Sequence, residues 1–170
     1  MLLRLTPLVG VLLILASCSN PSETSGGPGG PGGAGAPVGL GGPGGIGASR
    51  FGPGSQQDLA ATAGDRIFFA FDSSEITPEA RLVLQRQAEW LKRYANVTVT
   101  IEGHTDERGT REYNLALGER RAQAARNVLV ALGIPDSRIS TISYGKERPA
   151  VPGSTEEAYA QNRRAVTVVN

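Results

Sequence analysis

The chain has 170 residues, with 17 basic and 16 acidic side chains and a formal net charge of +1 at pH 7. That balance, together with an aromatic content of only 5%, excludes the basic, stacking-rich surface of a general nucleic-acid binder, so no nucleic-acid partner is expected. A sole cysteine rules out an intramolecular disulfide, and a sole histidine leaves a conventional zinc set incomplete.

At the N-terminus, Arg4 precedes an apolar run over residues 5–15 that only Thr6, Pro7 and Gly10 interrupt. Such a run has the length of a signal-peptide core and is too short to cross a bilayer as a helix. Residues 1–17 are therefore expected to be an export signal. They end in Leu15-Ala16-Ser17, directly before Cys18. This resembles a bacterial lipobox, which makes Cys18 the expected lipid attachment site and the first mature residue. Several acyl chains hold a protein at a membrane stably where one binds only marginally. Ser19 stands where aspartate marks lipoproteins retained at the inner membrane, so serine favours the periplasmic face of the outer membrane.

Residues 18–58 read as the lipidated start and a tether without regular structure. Fifteen of the 23 glycines lie between Gly26 and Gly54, six of the 11 prolines lie between Pro21 and Pro53, and only Glu23 and Arg50 are charged before Asp58. Such a segment cannot bury enough apolar surface to offset its ordering entropy. A Gly-X-Y register holds from Gly26 to Pro37, but Val38 breaks it and the run is too short for a triple helix. A flexible coil of this length has a root-mean-square reach of about 35 Å and a stretched limit near ~130 Å.

Residues 59–170 are enough for one domain with its own core. Residues 66–71 form a short apolar strand pattern. Thr77-Pro78-Glu79 then predicts a helix start, with Thr77 as N-cap, proline at the first helical position and an acid in the first turn. Residues 97–102 alternate apolar Val97, Val99 and Ile101 with polar Thr98, Thr100 and Glu102, as a half-buried strand does. A second helix runs from about Arg111 to Gly133, where a glycine stop is followed by Pro135. Residues 138–143 and 164–169 predict two more strands, and Ser154-Thr155-Glu156-Glu157 fits a capping box for a short helix between them. The order βαβαβ(α)β predicts an α+β sandwich, its helices packed on one face of a mixed four-stranded sheet.

The chemistry concentrates after residue 103. Asn114, Leu117 and Arg121, spaced three and four apart, project from one face of the second helix. Arg121 lies roughly 15 Å along that helix at 1.5 Å per residue, and the links from Asp106 to Arg111 span up to about 17 Å when extended. The loop carrying Asp106 can therefore fold back over the helix, with Thr110 and Asn114 shaping the loop and the helix start. A carboxylate and a guanidinium converging on one cleft suit a zwitterion, its ammonium on Asp106 and its carboxylate in a bidentate fork on Arg121.

Phe71-Asp72-Ser73-Ser74, Gly103-His104-Thr105-Asp106, Asn114 with Ala116-Leu117-Gly118-Glu119-Arg120-Arg121-Ala122, Tyr144-Gly145 and Asn162-Arg163-Arg164 together resemble the C-terminal outer-membrane-protein-A-like (OmpA-like) domain, in its lipid-anchored form. The match spans about residues 67–169. It implies an OmpA-like fold that binds peptidoglycan non-covalently, gripping the diaminopimelate of the stem peptide with Asp106 and Arg121. Leu117 would supply apolar contact, and Phe71, Asp72 and Ser73 would contribute at the rim. The resemblance further implies a second, mutually exclusive partner, the propeller protein TolB of the Tol system, and a role in envelope integrity and outer-membrane constriction during division. No cofactor and no catalysis are expected.

Two other readings compete. Glu102, His104 and Asp106 would share one face if the strand continued past Gly103, which would suit a metal-dependent wall hydrolase. A similar domain could also serve as a stator anchor for a motor, although such an anchor calls for a transmembrane helix where this chain has a lipobox. Arg120, Arg121, Arg163 and Arg164 raise a local basic patch, against which stand solvated or ion-paired arginines.

Overall fold

Local chemistry sets the helix starts. In the computed structural model, which describes residues 52–170, three threonines stand as N-caps with extended backbone. Thr77 accepts from the Ala80 N–H ahead of α2 (Pro78–Arg93), Thr110 from Tyr113 ahead of α3 (Arg111–Ala131), and Thr155 from Ala158 ahead of α4 (Glu156–Asn162). Each cap satisfies one N–H that the helix itself leaves without a partner. At the far end of α3, Gly133 takes φ +92° and its N–H returns to Val130 O, while Ile134 N–H returns to Leu129 O. This glycine-stopped end leaves Pro135 to lead into a 3-10 turn.

Four strands form one mixed sheet: β1 (Arg66–Phe68), β2 (Val99–His104), β3 (Ile139–Gly145) and β4 (Arg164–Val169), in the order β1-β4-β2-β3. β4 runs antiparallel to both β1 and β2, whereas β2 and β3 are parallel. A parallel pair needs a crossover, and α3 supplies it. Val99 and Ile101 are fully buried on one face of β2, with half-buried Thr100 and Glu102 on the other. The buried face meets Leu84, Ala88 and Leu91 of α2 and Ala122, Ala125 and Leu129 of α3. The α+β class and the mixed four-stranded sheet agree with the expectation.

The strand limits shift. β1 ends at Phe68 rather than 71, because the chain turns through Asp72, which adopts φ +52°. β2 and β3 each begin and end later than expected, β2 reaching His104 across a register irregularity after Gly103.

A larger difference concerns the N-terminal boundary. The tether was expected to reach Asp58, but helix α1 (Gln56–Thr62) starts earlier, with Ser55 accepting from Asp58 N–H as its cap. Asp58 is buried, accepting from Trp90 Nε1 at 3.1 Å and from Gly54 N–H at 3.0 Å. Leu59 sits in the core. Gln56 joins the same helix to the end of β4, donating to Thr167 O at 3.2 Å and accepting from Val169 N–H at 2.7 Å. A polar segment is thus recruited by partners far along the chain, which no local composition reveals. The expected export signal, Cys18 and the tether as far as residue 51 lie outside the described residues.

The seating of α3 on β2 has no side chain between the two backbones. A Cβ on Gly103 would lie 1.8 Å from Gly118 O, and one on Gly118 would lie 2.3 Å from Ser143 Oγ and 2.9 Å from Gly103 O. Overpacking typically costs 1–3 kcal/mol, and more where backbone must move. Gly103→Ala should therefore lose at least ~3 kcal/mol in urea unfolding, whereas Gly52→Ala, with nothing within 4 Å of its Cβ, should leave the midpoint unchanged.

Candidate functional site

Past the last pairs of β2 the chain leaves the sheet as a loop, and it crosses in front of the first turns of α3. The segment between β1 and α2 closes the other side. Between them opens a cleft of about 160 Å³ lined by Phe71, Asp72, Thr105, Asp106, Arg108, Gly109, Tyr113, Asn114, Leu117 and Arg121.

Arg121 forms its floor. The side chain is 0% exposed, and its guanidinium donates from Nε to Ser73 O at 2.8 Å, from Nη1 to His104 O at 2.8 Å and from Nη2 to Ala70 O at 3.0 Å. Three backbone carbonyls thereby fix its position and tie both loops to α3. One N–H on each Nη remains beyond those bonds, because guanidinium carries five donors. Among the described residues no carboxylate forms an ion pair with it. Burial pulls its pKa down to about 10, with Asp106 and Asp72 acting to raise it and Arg163 to lower it. It remains a cation at neutral pH.

Asp106 faces the same cleft, 4% exposed. Burial pushes its pKa up, but hydrogen bonds from Arg108 and Arg163 outweigh that and hold it below the usual carboxylate range. Arg108 contacts both carboxylate oxygens, Nη2 to Oδ2 at 2.6 Å and Nε to Oδ1 at 3.3 Å, and Arg163 Nη1 reaches Oδ2 at 3.4 Å. Arg163 also pairs with Glu156 at 2.8 Å and donates from Nε to Phe69 O.

The loop is held in place from both its buried and its exposed side. Asn114, 1% exposed, donates from Nδ2 to Arg108 O at 2.8 Å and Thr110 O at 3.0 Å. Lys146 donates to Glu107 O and Gly109 O from outside. Ser73 Oγ accepts from Glu75 N–H, bracing the turn that presents Phe71 and Asp72, and the Tyr113 hydroxyl donates to Asp72 Oδ1.

Of the residues singled out from the sequence, Phe71, Asp72, Asp106, Asn114, Leu117 and Arg121 line the cleft. Ser73 and Thr110 stand behind it, Ser73 through its carbonyl on Arg121 and Thr110 as the cap of α3. Arg108, Tyr113 and Thr105 also line it and were not singled out. Tyr113 could have been found, since it precedes Leu117 by one helical turn. The basic-patch reading does not describe these arginines: Arg163 is buried and ion-paired, and Arg164 is buried against Arg148 O. Arg120 alone stays exposed.

Glu102, His104 and Asp106 do not share one site. Asp106 turns to the arginines, while His104 Nε2 lies 3.6 Å from Glu102 Oε2. The imidazole is buried, and neither ring nitrogen has a hydrogen-bond partner among the described residues. Burial, with the positive charges of Arg164 and Arg148, lowers its pKa to about 4. At neutral pH it is uncharged, so the contact with Glu102 is not an ion pair.

Residues 68–163 match the OmpA family. A peptidoglycan-associated lipoprotein of Agrobacterium fabrum is 52% identical over 157 residues, covering 92% of this chain and 82% of that protein. Among solved structures, the peptidoglycan-associated lipoprotein from Burkholderia pseudomallei is 43% identical with a TM-score of 0.61, over 62% of this chain and 90% of that one. The C-terminal domain of Helicobacter pylori MotB shares the fold alone, with a TM-score of 0.59 at 24% identity over 62% of this chain and 84% of that one.

The His104 environment has a measurable consequence. The ring takes up a proton near pH 6.5 when unfolded but only near pH 4 when folded, so between those values the unfolded state binds more protons. Stability should fall as pH drops through that window, by on the order of 3 kcal/mol once both states are protonated. Urea unfolding at pH 7, 5.5 and 4 should show this slope in the wild type, and His104→Gln should flatten it.

Proposed function

This chain belongs to the OmpA family, and from that premise we propose that it is a lipid-anchored outer-membrane protein whose folded domain binds peptidoglycan without chemistry, linking membrane to wall. The observation that carries the reading is the cleft's split charge. A fixed, buried Arg121 with N–H groups to spare lies below the Asp106 carboxylate in one concavity. Such a pair suits the zwitterionic end of a diaminopimelate residue, its carboxylate on Arg121, its ammonium on Asp106 and its methylenes against Leu117. Phe71, 60% exposed at the rim, offers apolar contact to the rest of a stem peptide. The names of the relatives support association with peptidoglycan and a lipid anchor. The Agrobacterium fabrum match is longer than the described part of the chain, so that likeness extends into the segment containing Cys18.

We further place the protein in the Tol system. TolB would compete for the same face, so that wall-bound and TolB-bound forms alternate, supporting envelope integrity and constriction of the outer membrane during division.

Removing one member of a buried charged contact typically costs 2–5 kcal/mol, about 30-fold to several-thousand-fold in affinity. Pull-down of the full chain in detergent with purified sacculi should therefore lose binding in Asp106→Asn, which keeps the side-chain shape. Arg121→Lys, which keeps charge but not the planar fork, should bind no better. Arg121→Ala should also lower the unfolding midpoint, because three carbonyls lose their donor. Binding by Asp106→Asn at wild-type strength would overturn the site. Binding should persist in chelator without release of muropeptides, whereas a hydrolase would need its metal.

For the anchor, wild type should incorporate labelled fatty acid and Cys18→Ser should not. Equal labelling would place the lipid elsewhere.

A further inference from the structure

Asp106 is not waiting empty for a ligand. Arg108 already holds both its oxygens, at 2.6 and 3.3 Å, and a second cation, Arg163, stands 3.4 Å away. The Arg108 guanidinium lies between two rings, 4.1 Å from the centroid of Phe71 and 4.4 Å from that of Tyr159, with Glu156 at 3.6 Å from Nη1. Its side chain is half-buried, and it lines the cleft itself. Below it, Arg121 forms no ion pair with a carboxylate among the described residues.

We propose that Arg108 is the specificity-determining residue of this cleft: it occupies the ammonium position on Asp106 and yields it only to a ligand that carries a carboxylate beside its ammonium. The inference rests on the peptidoglycan reading and adds how that site chooses its ligand. An incoming ammonium replaces one cation on Asp106 by another, so that exchange alone gains little. A ligand with only an amine would also leave Arg121 without an anion and Arg108 with the more distant Glu156 alone. A zwitterion supplies that anion at the same moment. Arg108 keeps partners when it releases Asp106, because the two rings and Glu156 contact its guanidinium as well. Arg163 remains beside the carboxylate throughout, so Asp106 stays ionised when Arg108 leaves. The cleft therefore discriminates against a lysine-type stem, which presents a lone ammonium, in favour of a diaminopimelate-type stem.

The test uses the full chain in detergent and two synthetic tripeptides, L-alanyl-γ-D-glutamyl-meso-diaminopimelate and the same peptide with L-lysine at the third position. The two differ only in the carboxylate beside the side-chain ammonium. Calorimetry should show wild type binding the first far more tightly. In Arg108→Gln the lysine peptide should gain roughly tenfold, the scale of one charged hydrogen-bonded contact, while the diaminopimelate peptide changes by less than about threefold, narrowing the preference. A variant that weakens both equally would make Arg108 a direct ligand contact and overturn the proposal, as would an unchanged ratio. A second measurement needs no variant. The Arg108 Nε–H resonance of wild type should move when the diaminopimelate peptide saturates the site, and a peptide that binds without moving it would overturn the proposal while leaving the binding site intact. Failure of wild type to bind either peptide would overturn the peptidoglycan reading and this proposal with it.

Discussion

Where Gly118 of α3 lies on Gly103 of β2, two backbones touch with no side chain between them, and the geometry of the cleft follows from that contact. It sets the height of the helix above the sheet, and Arg121 lies less than one turn further on. At that height the guanidinium reaches Ala70 O, Ser73 O and His104 O together. A methyl group at either glycine would lift the helix and break a set of bonds that demands all three carbonyls at once. The same helix carries Asn114 one turn before Gly118, which pins the loop bearing Asp106 and Arg108. Sheet, helix and loops are thus aligned by one close approach and one buried arginine.

Burial of a guanidinium is costly unless its donors are satisfied. Here neutral carbonyl dipoles satisfy three of them, so the charge is held in place without being cancelled. Asp106 is treated in the opposite way, being surrounded by Arg108 and Arg163 until its charge is matched. The cleft therefore has a cation held by carbonyls at its floor and a carboxylate already paired with Arg108 at its mouth. Under the proposed function, selectivity would arise from that asymmetry, because an anion would gain a preformed site while a cation would have to displace an occupant.

How far the sequence discloses this depends on the range of the interactions. The threonine caps at 77, 110 and 155 and the glycine stop at 133 act within a few residues, and they are read directly from local order. The i, i+3, i+4 pattern likewise puts Asn114, Leu117 and Arg121 on one face. Helix α1 escapes such a reading because its buried acid, Asp58, is held by Trp90 from another helix. Arg108 escapes for a related reason. Nothing local distinguishes a loop arginine in solvent from one sandwiched between Phe71 and Tyr159, which come from segments on either side of it. Arg121, anticipated as an open fork, proves to be a structural tie as well, since the carbonyls it binds lie up to 51 residues away.

The chain enters the domain beside the ends of β4 and β2 remote from the cleft: Gln56 bonds to Thr167 and Val169, Val169 faces Val99, and Asp106 follows the opposite end of β2. Entry and cleft therefore sit at opposite poles of the sheet. Under the proposed function, turgor and growth would pull on those two poles, and the load line would run nearly parallel to the strands. Hydrogen bonds between antiparallel β2 and β4 would then be strained together in shear, each sharing the tension, instead of opening one after another as in peeling. Under the proposed function, a domain strung this way would be a mechanical coupler whose breaking point is set by the sheet, with α1 seated at its entry through Gln56, Asp58 and the buried Leu59.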